Sequence, residues 1–394
     1  MLDALLSGDY PRSRALSALL LLIFVSLAFA PFLFPGTVAY QTYSKICVFI
    51  VLVASYDILL GYTSIVSFAH TMFFGIGAYA VAIALRDVGT GWDAVLLGTG
   101  VGLVISLLAG LAMGLLSLRV RAIFFALVTL AVASGFLILT FKLYTFTGGD
   151  DGIRFSVPRE LRPSFKLLES DLTGFDVIGF LTTGSLQDAL FKVSVNGRVV
   201  MYYLLFVICT LLFLLMLRVM NSPFGRVCQA IRENEFRAEA IGYRTVYFRT
   251  VNVCLAACIA SLAGSLMALA TRYAHPETFL SFGVMVNILL MTVIGGMGTL
   301  YGAVVGASLF LLAETYLQNG LGWVHARVEG IPLLADVLTP ERWLMWLGIL
   351  FVLSIYFFPK GIVGQLRVWA QARRARRSAG GDGETAAAPT LGRR

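Results

Sequence analysis

The chain has 394 residues, of which 58% are hydrophobic and only 13% are charged, and its formal net charge is +8. Soluble domains are about 45–50% apolar and about 25% charged, so this composition excludes an ordinary soluble protein and predicts an integral membrane protein. The basic residues cluster beside the apolar runs, so we expect contact with membrane lipids and no nucleic-acid partner.

Long apolar runs recur along the chain and do not alternate with polar residues. A run of about 20 apolar residues crosses the hydrocarbon core as a helix, and a spanning segment must satisfy its own backbone hydrogen bonds. We therefore predict an all-α, polytopic membrane protein with about ten membrane segments. The segments are 16–34, 46–60, 68–86, 94–117, 122–143, 199–218, 250–270, 284–297, 300–317 and 343–358.

Two of the predicted spans are short and run into glycine-containing breaks. Segment 46–60 precedes "GYTSIVSFAH", and segment 284–297 leads into "GGMGTLYG". With the spans that follow them they form Gly-broken helix pairs, 46–86 and 284–317, which is a weak sign of a parallel internal repeat. The first run, 16–34, has no small-residue cleavage site, so we expect it to be retained as a span.

Lysine and arginine residues set the predicted orientation. Ten spans place all the main basic regions on one side, and the positive-inside rule makes that side the cytoplasm. Both termini and the region 219–248 then lie in the cytoplasm, whereas 144–198 is a long connection on the outer face. We divide the chain into a transmembrane domain, 1–366, and a basic tail, 367–394, which we expect to be disordered because of its Gly, Ala and Thr content.

A charged stretch between Pro223 and Tyr243 interrupts the apolar runs. Pro223 suits the first turn of a helix, Glu233 and Arg237 are spaced to pair on one helical face, and Gly242 is placed to end the helix. The small residues in "AEAIG" permit close backbone approach. This pattern favours a surface helix that docks on a partner over a solvated connector.

The stretch resembles the cytoplasmic coupling motif of permease subunits of ATP-binding-cassette importers, and more specifically the permeases of the branched-chain amino acid importer family. Three other stretches are similar to motifs of that family: "GYTSIVSFAHTMFFGIGAY", "FTGGDDGI" and "VIGGMGTLYGAVVGA". The resemblance implies a permease subunit that moves branched-chain or other hydrophobic amino acids across the bacterial cytoplasmic (inner) membrane. It implies an ATPase-coupling role for Gly225, Arg226, Ala230, Ile231, Arg232, Glu233, Asn234, Ala238 and Gly242.

The same resemblance implies the partners: two ATPase subunits, a second homologous permease subunit, and a periplasmic or lipid-anchored solute-binding protein. This chain has no Gly-Lys-Ser/Thr phosphate loop, so we expect a transport subunit rather than an enzyme, with ATP hydrolysed on partner chains. We expect no cofactor and no metal site, since the Cys and His residues show no ligand spacing. The solute-binding protein, hereafter the receptor, would dock on the outer segments 144–198 and 319–342. Its expected contacts are Thr147, Gly148, Gly149, Asp150 and Asp151.

Polar residues at membrane depth mark the candidate translocation pathway, because an ionisable group at the bilayer centre costs about 2.5–3.5 kcal/mol unless it has a partner or faces water. The candidates are Ser64, Ser67, His70, Thr71, Asn287 and Thr292. An interhelical hydrogen bond is the alternative for His70, and tight packing beside glycines is the alternative for Asn287 and Thr292. Asp57 and Glu314 also lie near span depth, and we expect Glu314 to tie two helices together.

The chain departs from the family pattern at Thr63–Ser64 and at Phe68–His70, where the family usually has Gly-Gln and Leu-Gly-His. The substrate therefore stays open, with urea, short amides or small organic acids as alternatives. No charged pair is evident that would bind both the ammonium and the carboxylate group of an amino acid. We therefore expect the receptor to select the substrate. The rival of another class is an ion-coupled secondary transporter with His70 or Asp57 as proton carriers. It would not need the charged docking helix. Three scattered histidines disfavour a membrane-embedded enzyme.

Overall fold

The computed structural model describes residues 14–34, 36–116, 122–166, 172–175, 190–193, 195–328, 338–358 and 361–366. Within these ranges most residues are helical, so the all-α prediction is confirmed. The predicted tail, 367–394, lies outside the described residues.

Helices make up the bulk of the described chain. Helices α1 to α8 are Arg14–Ala28, Ala30–Leu33, Thr37–Thr63, His70–Asp87, Trp92–Leu116, Ala122–Lys142, Tyr144–Thr147 and Gly197–Met220. Helices α9 to α15 are Pro223–Glu233, Glu235–Ala240, Thr245–Thr271, Pro276–Leu280, Phe282–Gly295, Leu300–Val328 and Trp343–Phe357. The short strands are β1, Ile153–Arg154; β2, Leu172–Phe175; β3, Leu190–Val193; and β4, Tyr273–Ala274. Strand β1 pairs antiparallel with β4, and β2 with β3.

Eight helical segments of the described chain are long and apolar enough to cross a membrane, which confirms a polytopic protein. Every one of the ten predicted segments coincides with a helix. Two are not among the eight: α1, which is shorter, and α4, which carries His70, Arg86 and Asp87.

Helix α3 is the centre of the molecule. Every side chain from Ile46 to Leu59 is buried, and the helix packs against α8, α11, α13 and α14. A helix that is apolar on all sides is expected at such a position. The uniform burial explains why this run showed no polar face in the sequence.

The prediction that 46–60 is a short span is wrong, because α3 has 27 residues. Its first turns, Thr37–Lys45, carry polar residues and were therefore not counted with the apolar run. Its other end passes through Gly61 and breaks at Ser64, which has a left-handed φ of 55°. The second predicted break is close to its expected position, since α13 ends at Gly295.

Small residues hold α5 close to its neighbours α4 and α11. The buried face of α5 carries a small residue at every fourth position, namely Gly98, Gly102, Ser106, Gly110 and Gly114. Spacing of this kind lets the backbones of membrane helices approach closely. A β-carbon at Gly98 would lie 2.8 Å from the Ala80 carbonyl oxygen, so the approach depends on glycine. The opposite face exposes Leu96 and Leu108, as expected for a surface in contact with lipid.

Helix α11 defines the two sides of the molecule. Its 27 residues correspond to a length of about 40 Å. Helices α9 and α10, hereafter the helix pair, lie at its first end, and strand β4 follows its last residue. We call these two ends the helix-pair side and the strand side.

The predicted outer segment 319–342 begins inside a helix, because α14 continues to Val328. The predicted span 300–317 agrees with the apolar segment Leu300–Gln318, and the helix continues beyond it. His325, in the predicted outer segment, lies in the last turn of α14. Glu329 and Asp336 lie outside the described residues.

Candidate functional site

The charged stretch forms two helices rather than one, so the single helix predicted from Pro223 to Tyr243 is wrong. Pro223 opens α9 after an extended Ser222. Asn234 is also extended, at φ −159° and ψ 99°, and it ends α9. The Asn234 side chain then caps α10, because its Oδ1 accepts a hydrogen bond of 2.9 Å from the Arg237 backbone N–H. Asparagine is a preferred N-cap residue for this reason.

The break also removes the predicted pairing of Glu233 and Arg237, because the two residues lie on different helices. The predicted stop at Gly242 is found: its φ is +99°, and the Tyr243 N–H returns to the Ala238 carbonyl over 3.1 Å. A residue with positive φ after a helix, followed by such a returning bond, is a common C-terminal motif.

The nine residues assigned to coupling divide between two faces of the helix pair. Three pack inward against the membrane helices, namely Gly225, Ile231 and Ala238. Six are exposed, namely Arg226, Ala230, Arg232, Glu233, Asn234 and Gly242. Helix α9 packs against α3, α8 and α11. The inward residues therefore hold the pair to the membrane helices. The exposed residues lie at its surface, although the side chains of Arg232 and Asn234 also make hydrogen bonds within the chain.

The helix pair carries an exposed apolar patch that sequence reasoning missed. The side chain of Phe236 is 83% exposed and that of Ile241 is 71% exposed. Tyr243, Val246 and Tyr247, which follow in the chain, are exposed as well. Contiguous exposed apolar patches mark interaction sites in many proteins. The available signal was the presence of Phe236 and Ile241 in a stretch that is otherwise charged.

One arginine of the helix pair reaches both breaks in the membrane helices. The Arg232 guanidinium donates a hydrogen bond to the Gly61 carbonyl, near the end of α3. Gly298, in the break between α13 and α14, lies against the same guanidinium. The Gly298 backbone N–H in turn donates to Asp57 Oδ1 over 2.8 Å. We call Asp57, Gly61, Arg232 and Gly298 the junction.

The second helix of the pair is tied to α11 by two side-chain contacts. Arg249 pairs with Glu235 at an N–O distance of 2.7 Å, and the Thr245 hydroxyl donates to Glu239 Oε1 over 2.7 Å. The first contact is partly exposed, so its contribution to stability is small. The two contacts join α10 to the beginning of α11.

The six predicted pathway residues differ in their hydrogen bonds and in their exposure. His70 is fully buried, and its Nε2 lies 2.9 Å from the Ser55 hydroxyl on α3. This is the interhelical hydrogen bond that the sequence left as the alternative. Ser67 Oγ accepts from the Ala69 N–H over 3.3 Å, and the Thr292 hydroxyl donates to the Ile288 carbonyl over 2.8 Å.

The remaining three pathway candidates differ in exposure. Thr71 is buried, Asn287 is half-buried, and Ser64 is exposed at the end of α3. Glu314 makes the helix tie that we expected, because it pairs with Lys45 on α3 at 2.9 Å. Asp57 acts within the junction. The assignment of these residues to a pathway stays a prediction.

On the strand side, the "TGGDDGI" motif forms a latch between the end of α6 and the end of α11. The Asp150 carbonyl accepts a hydrogen bond of 2.9 Å from His275 Nε2, and the Asp151 carbonyl accepts one of 2.8 Å from the Tyr273 hydroxyl. Thr147 is buried, and its hydroxyl donates to the Leu143 carbonyl over 2.8 Å. The carboxylates of both aspartates stay at the surface.

The glycines of the motif serve this geometry. Gly148 and Gly149 have positive φ angles of 75° and 54°, which glycine adopts without strain. A β-carbon at Gly152 would lie 2.5 Å from the Ala274 carbonyl oxygen of β4. Two of the five predicted receptor contacts are thus needed for the fold of the motif, and two others present acidic groups outward.

Comparisons with known proteins point to one family. A family model described as "Branched-chain amino acid transport system / permease component" matches residues 39–355. The permease protein LivM of the high-affinity branched-chain amino acid transport system of Salmonella typhimurium is 25% identical over 324 residues, which cover 82% of this chain and 73% of LivM. No solved structure matches the chain.

Two Escherichia coli permeases of the same description are also similar. LivM is 26% identical over 307 residues, covering 78% of this chain and 69% of LivM. LivH is 23% identical over 317 residues, covering 79% of this chain and 93% of LivH. The family match extends from α3 into α15 and includes the helix pair, both breaks and the latch. This chain therefore belongs to the family of permease components of branched-chain amino acid transport systems, as the motifs indicated.

Proposed function

We propose that this chain is the membrane-spanning subunit through which an ATP-binding-cassette importer moves branched-chain or other hydrophobic amino acids. The relatives' names support this substrate class, since LivM and LivH are permease proteins of high-affinity branched-chain amino acid transport systems. ATP is hydrolysed on separate subunits, because the sequence has no phosphate-binding loop.

The assembly contains two ATPases, a second homologous permease and a solute-binding protein. The similarity of this chain to both LivM and LivH of Escherichia coli supports the pairing of two related permeases. The exposed patch of Phe236 and Ile241 is the surface that an ATPase covers. The solute-binding protein docks on the strand side, where Asp150 and Asp151 present their carboxylates.

The orientation follows the arginines. Six of them, Arg218, Arg226, Arg232, Arg237, Arg244 and Arg249, lie in or beside the helix pair. Basic residues next to membrane spans favour the cytoplasm. The helix-pair side therefore faces the cytoplasm of a bacterium, both termini lie on that side, and the strand side faces outward across the inner membrane.

The observation that carries the proposal is the contact of Arg232 with both breaks. Closure of the ATPases moves the helix pair. Because the Arg232 guanidinium holds the Gly61 carbonyl and lies against Gly298, the movement reaches α3 and the α13–α14 break together. The Asp57 bond to the Gly298 N–H keeps those two elements in register. A secondary transporter would need neither the patch nor this link.

The test is uptake of radiolabelled leucine by cells in which the Arg232→Ala variant replaces the native chain. A hydrogen bond from a charged group contributes about 1.5–3 kcal/mol, so we expect uptake to fall at least about tenfold. The ATPases should still co-purify with the variant, since the exposed patch is intact. Arg237→Ala is the matched control, because its guanidinium makes no hydrogen bond within the described chain.

Normal uptake by the Arg232→Ala variant would contradict coupling through the junction. A purified chain that accumulates leucine in vesicles without ATP would instead identify an ion-coupled transporter. A receptor that co-purifies with the chain and binds urea or an amide, but no amino acid, would replace the proposed substrate.

A further inference from the structure

A cavity whose wall carries several polar and charged side chains opens on the strand side, between the first turns of α3 and the end of α11. Its volume is about 560 Å³, within the range of about 300–1,000 Å³ that is usual for small-molecule sites. Its wall includes Tyr40, Ser44 and Lys45 of α3, Arg198 at the start of α8, and Arg272 after α11. These are the polar turns of α3 that apolar periodicity did not assign to the span.

The wall of this cavity is positively charged. Lys45 is already paired with Glu314 at 2.9 Å. Arg198 and Arg272 make no ion pair within the described part of the chain, and the described lining contains no acidic side chain. Two guanidinium groups that share a cavity repel each other, and the repulsion grows as water is excluded. The cavity therefore favours an anionic group.

The backbone holds Arg272 in an unusual conformation. Its φ of 56° is left-handed, which costs a non-glycine residue about 1–2 kcal/mol. Its carbonyl accepts a hydrogen bond from the Phe155 N–H, and its Nη2 donates to the Leu161 carbonyl over 3.4 Å. Backbone strain of this kind clusters at ligand sites. Arg272 is thus held by hydrogen bonds to the segment that follows the "TGGDDGI" motif.

One nitrogen of the Arg272 guanidinium stays without a partner. Its Nε is buried and donates no hydrogen bond within the described chain. Burial lowers the pKa of Arg272, Tyr40 raises it, and the charge on Arg198 lowers it again. An unsatisfied buried donor costs about 1–3 kcal/mol, more when it is charged. A ligand that accepts this hydrogen bond would remove the penalty.

Two hydroxyl groups in the cavity wall also lack hydrogen-bond partners outside their own pair within the described chain. The hydroxyls of Tyr40 and Ser44, one helical turn apart on α3, are buried, and apart from each other they have no partner among the described residues. A hydroxyl can donate to a carboxylate oxygen or accept from an ammonium group. The cavity thus combines two guanidinium groups with two hydroxyl groups that can donate hydrogen bonds.

We propose that this cavity is a subsite for the carboxylate of the transported solute, with Arg198 and Arg272 as its ligands and Tyr40 and Ser44 as supporting donors. The proposal rests on the proposed function and adds to it a place of recognition within the permease itself. Guanidinium groups bind carboxylates through two parallel hydrogen bonds. The subsite gives the permease a selection step of its own after the receptor has released the solute.

The experiment measures binding to the full-length chain, with its co-purified partner subunits, in nanodiscs of neutral phosphatidylcholine. Saturation-transfer NMR titrations, which suit weak binding, use three probes: leucine, leucinamide and 4-methylpentanoate. The second probe lacks the carboxylate and the third lacks the ammonium group. We expect leucine and 4-methylpentanoate to bind about tenfold or more tightly than leucinamide.

The variants Arg198→Gln and Arg272→Gln should each weaken binding of the two carboxylates about tenfold and leave leucinamide unchanged. Arg272→Lys keeps the positive charge but cannot make the two parallel hydrogen bonds of a guanidinium group, so its loss of carboxylate affinity should be intermediate. It serves as the second variant if a glutamine variant aggregates. Arg159→Gln is the matched control, because Arg159 is exposed on the strand side outside the cavity. Equal affinity of the native complex for leucine and leucinamide overturns the proposal, as does unchanged carboxylate binding by both glutamine variants.

An anionic lipid headgroup is the other source of the same chemistry. Nanodiscs that contain phosphatidylglycerol test it. If this lipid co-purifies with the native chain but not with the arginine variants, and leucine does not bind in neutral nanodiscs, the cavity is a lipid site and the proposal fails. The proposed function has a separate readout: cells that do not take up leucine, although the cavity still discriminates carboxylates, contradict the function and leave the subsite standing.

Discussion

At the scale of single residues, Asp57 connects two separate parts of the membrane helices. Its carboxylate oxygen Oδ1 accepts a hydrogen bond of 2.8 Å from the Gly298 N–H, which joins α3 to the break between α13 and α14. Asp57 therefore serves as a fixed acceptor that positions the second break beside the first. This role explains why an acidic residue is retained within the buried helix α3.

The junction predicts the effect of a single added methyl group at Gly298. The φ of this residue is +83°, and a β-carbon would clash with the Arg232 guanidinium and lie 3.0 Å from the Gly61 carbonyl oxygen. Gly298→Ala should displace Arg232 and lower leucine uptake about tenfold or more, at an unchanged membrane level. Radiolabel uptake and an immunoblot measure the two quantities.

The matched control is Gly100→Ala, because Gly100 is exposed on α5 with no other atom within 4 Å of an added β-carbon. Uptake should stay normal in this variant. If Gly298→Ala transports as well as the control, the close packing at the junction has no part in transport.

Sequence patterns predicted single residues well where a polar group at depth needs a partner. Glu314 was expected to tie two helices, and its ion pair with Lys45 on α3 confirms such a tie. The partner itself was not predictable, since the two residues lie 269 positions apart. Asn252, which donates to the Ile58 carbonyl over 2.8 Å, was missed because nothing in its own neighbourhood in the sequence marks that contact.

At the scale of elements, the helix pair separates two tasks that one continuous helix would combine. Helix α9 carries the contact to the membrane helices through Arg232, and α10 carries the exposed side chain of Phe236. The extended backbone at Asn234 lets the two axes differ in direction. In the coupling that we propose, a change in the angle between α9 and α10 would alter the force on the junction. The surface for the ATPase would be kept.

The end of the helix pair predicts a docking defect. Gly242 has a φ of +99°, and a β-branched residue is strongly disfavoured there. We expect Gly242→Val to displace Tyr243 and the apolar patch, so that leucine uptake is abolished and the ATPases no longer co-purify. The Arg232→Ala variant should keep the ATPases, and this difference separates docking from transmission.

Gly100→Val is the control for the size of the side chain, because the position is open. A Gly242→Val variant that retains both uptake and bound ATPases would show that the end of the helix pair does not contact the ATPase.

The tie between α3 and α14 predicts a change in stability. Lys45 and Glu314 are 34% and 24% exposed, so solvent screens part of their attraction. Glu314→Gln leaves the ammonium group unpaired and should lower the free energy of unfolding by about 1–3 kcal/mol, measured by denaturant titration in detergent. The double variant Lys45→Gln/Glu314→Gln should recover most of this loss. Equal losses in the single and double variants would argue against the pair.

Element boundaries show where sequence reasoning ends. The apolar runs located every span, but they stopped short on α3 and α14, whose polar ends face a cavity or the surface. The break at Asn234 was missed because helix propensity and the spacing of Glu233 and Arg237 both favour one helix. The side-chain cap that decides the matter depends on backbone angles that propensity does not specify.

At the scale of the whole molecule, the two sides should differ in accessibility. In the orientation that we propose, a membrane-impermeant maleimide labels Asp150→Cys in intact cells, and labels Ala240→Cys only after the membrane is opened. Both positions are exposed. Labelling of Ala240→Cys in intact cells would reverse the orientation.

The native chain supplies the background for this measurement. Cys228 lies on the helix pair, and burial raises the pKa of its thiol to about 12. The thiol stays protonated at pH 7, and thiolates are the reactive form. Cys228 should therefore label slowly even after the membrane is opened. Strong labelling of the native chain that a Cys228→Ser variant removes would show that the helix pair opens in the membrane.

Composition and the distribution of arginines predicted the class and the overall plan of the molecule without any contact being known. Both depend on sums over many residues, so an error at one boundary changes little. The cavity between α3, α8 and α11 is different. It is formed by residues from separate parts of the chain, Tyr40, Arg198 and Arg272 among them, and no local pattern brings those together.

The latch on the strand side has a consequence for how the protein is made. Asp151 and Tyr273, which it joins, are 122 residues apart, so a ribosome that adds about 5–20 residues per second needs about 6–24 s to supply the second after the first. During that time β1 has no partner strand, because β4 follows a helix that has not yet been synthesised. The strand side is thus completed late in biogenesis, after α11 has been synthesised. A nascent chain stopped before α11 would carry the "TGGDDGI" motif without its hydrogen bonds from Tyr273 and His275.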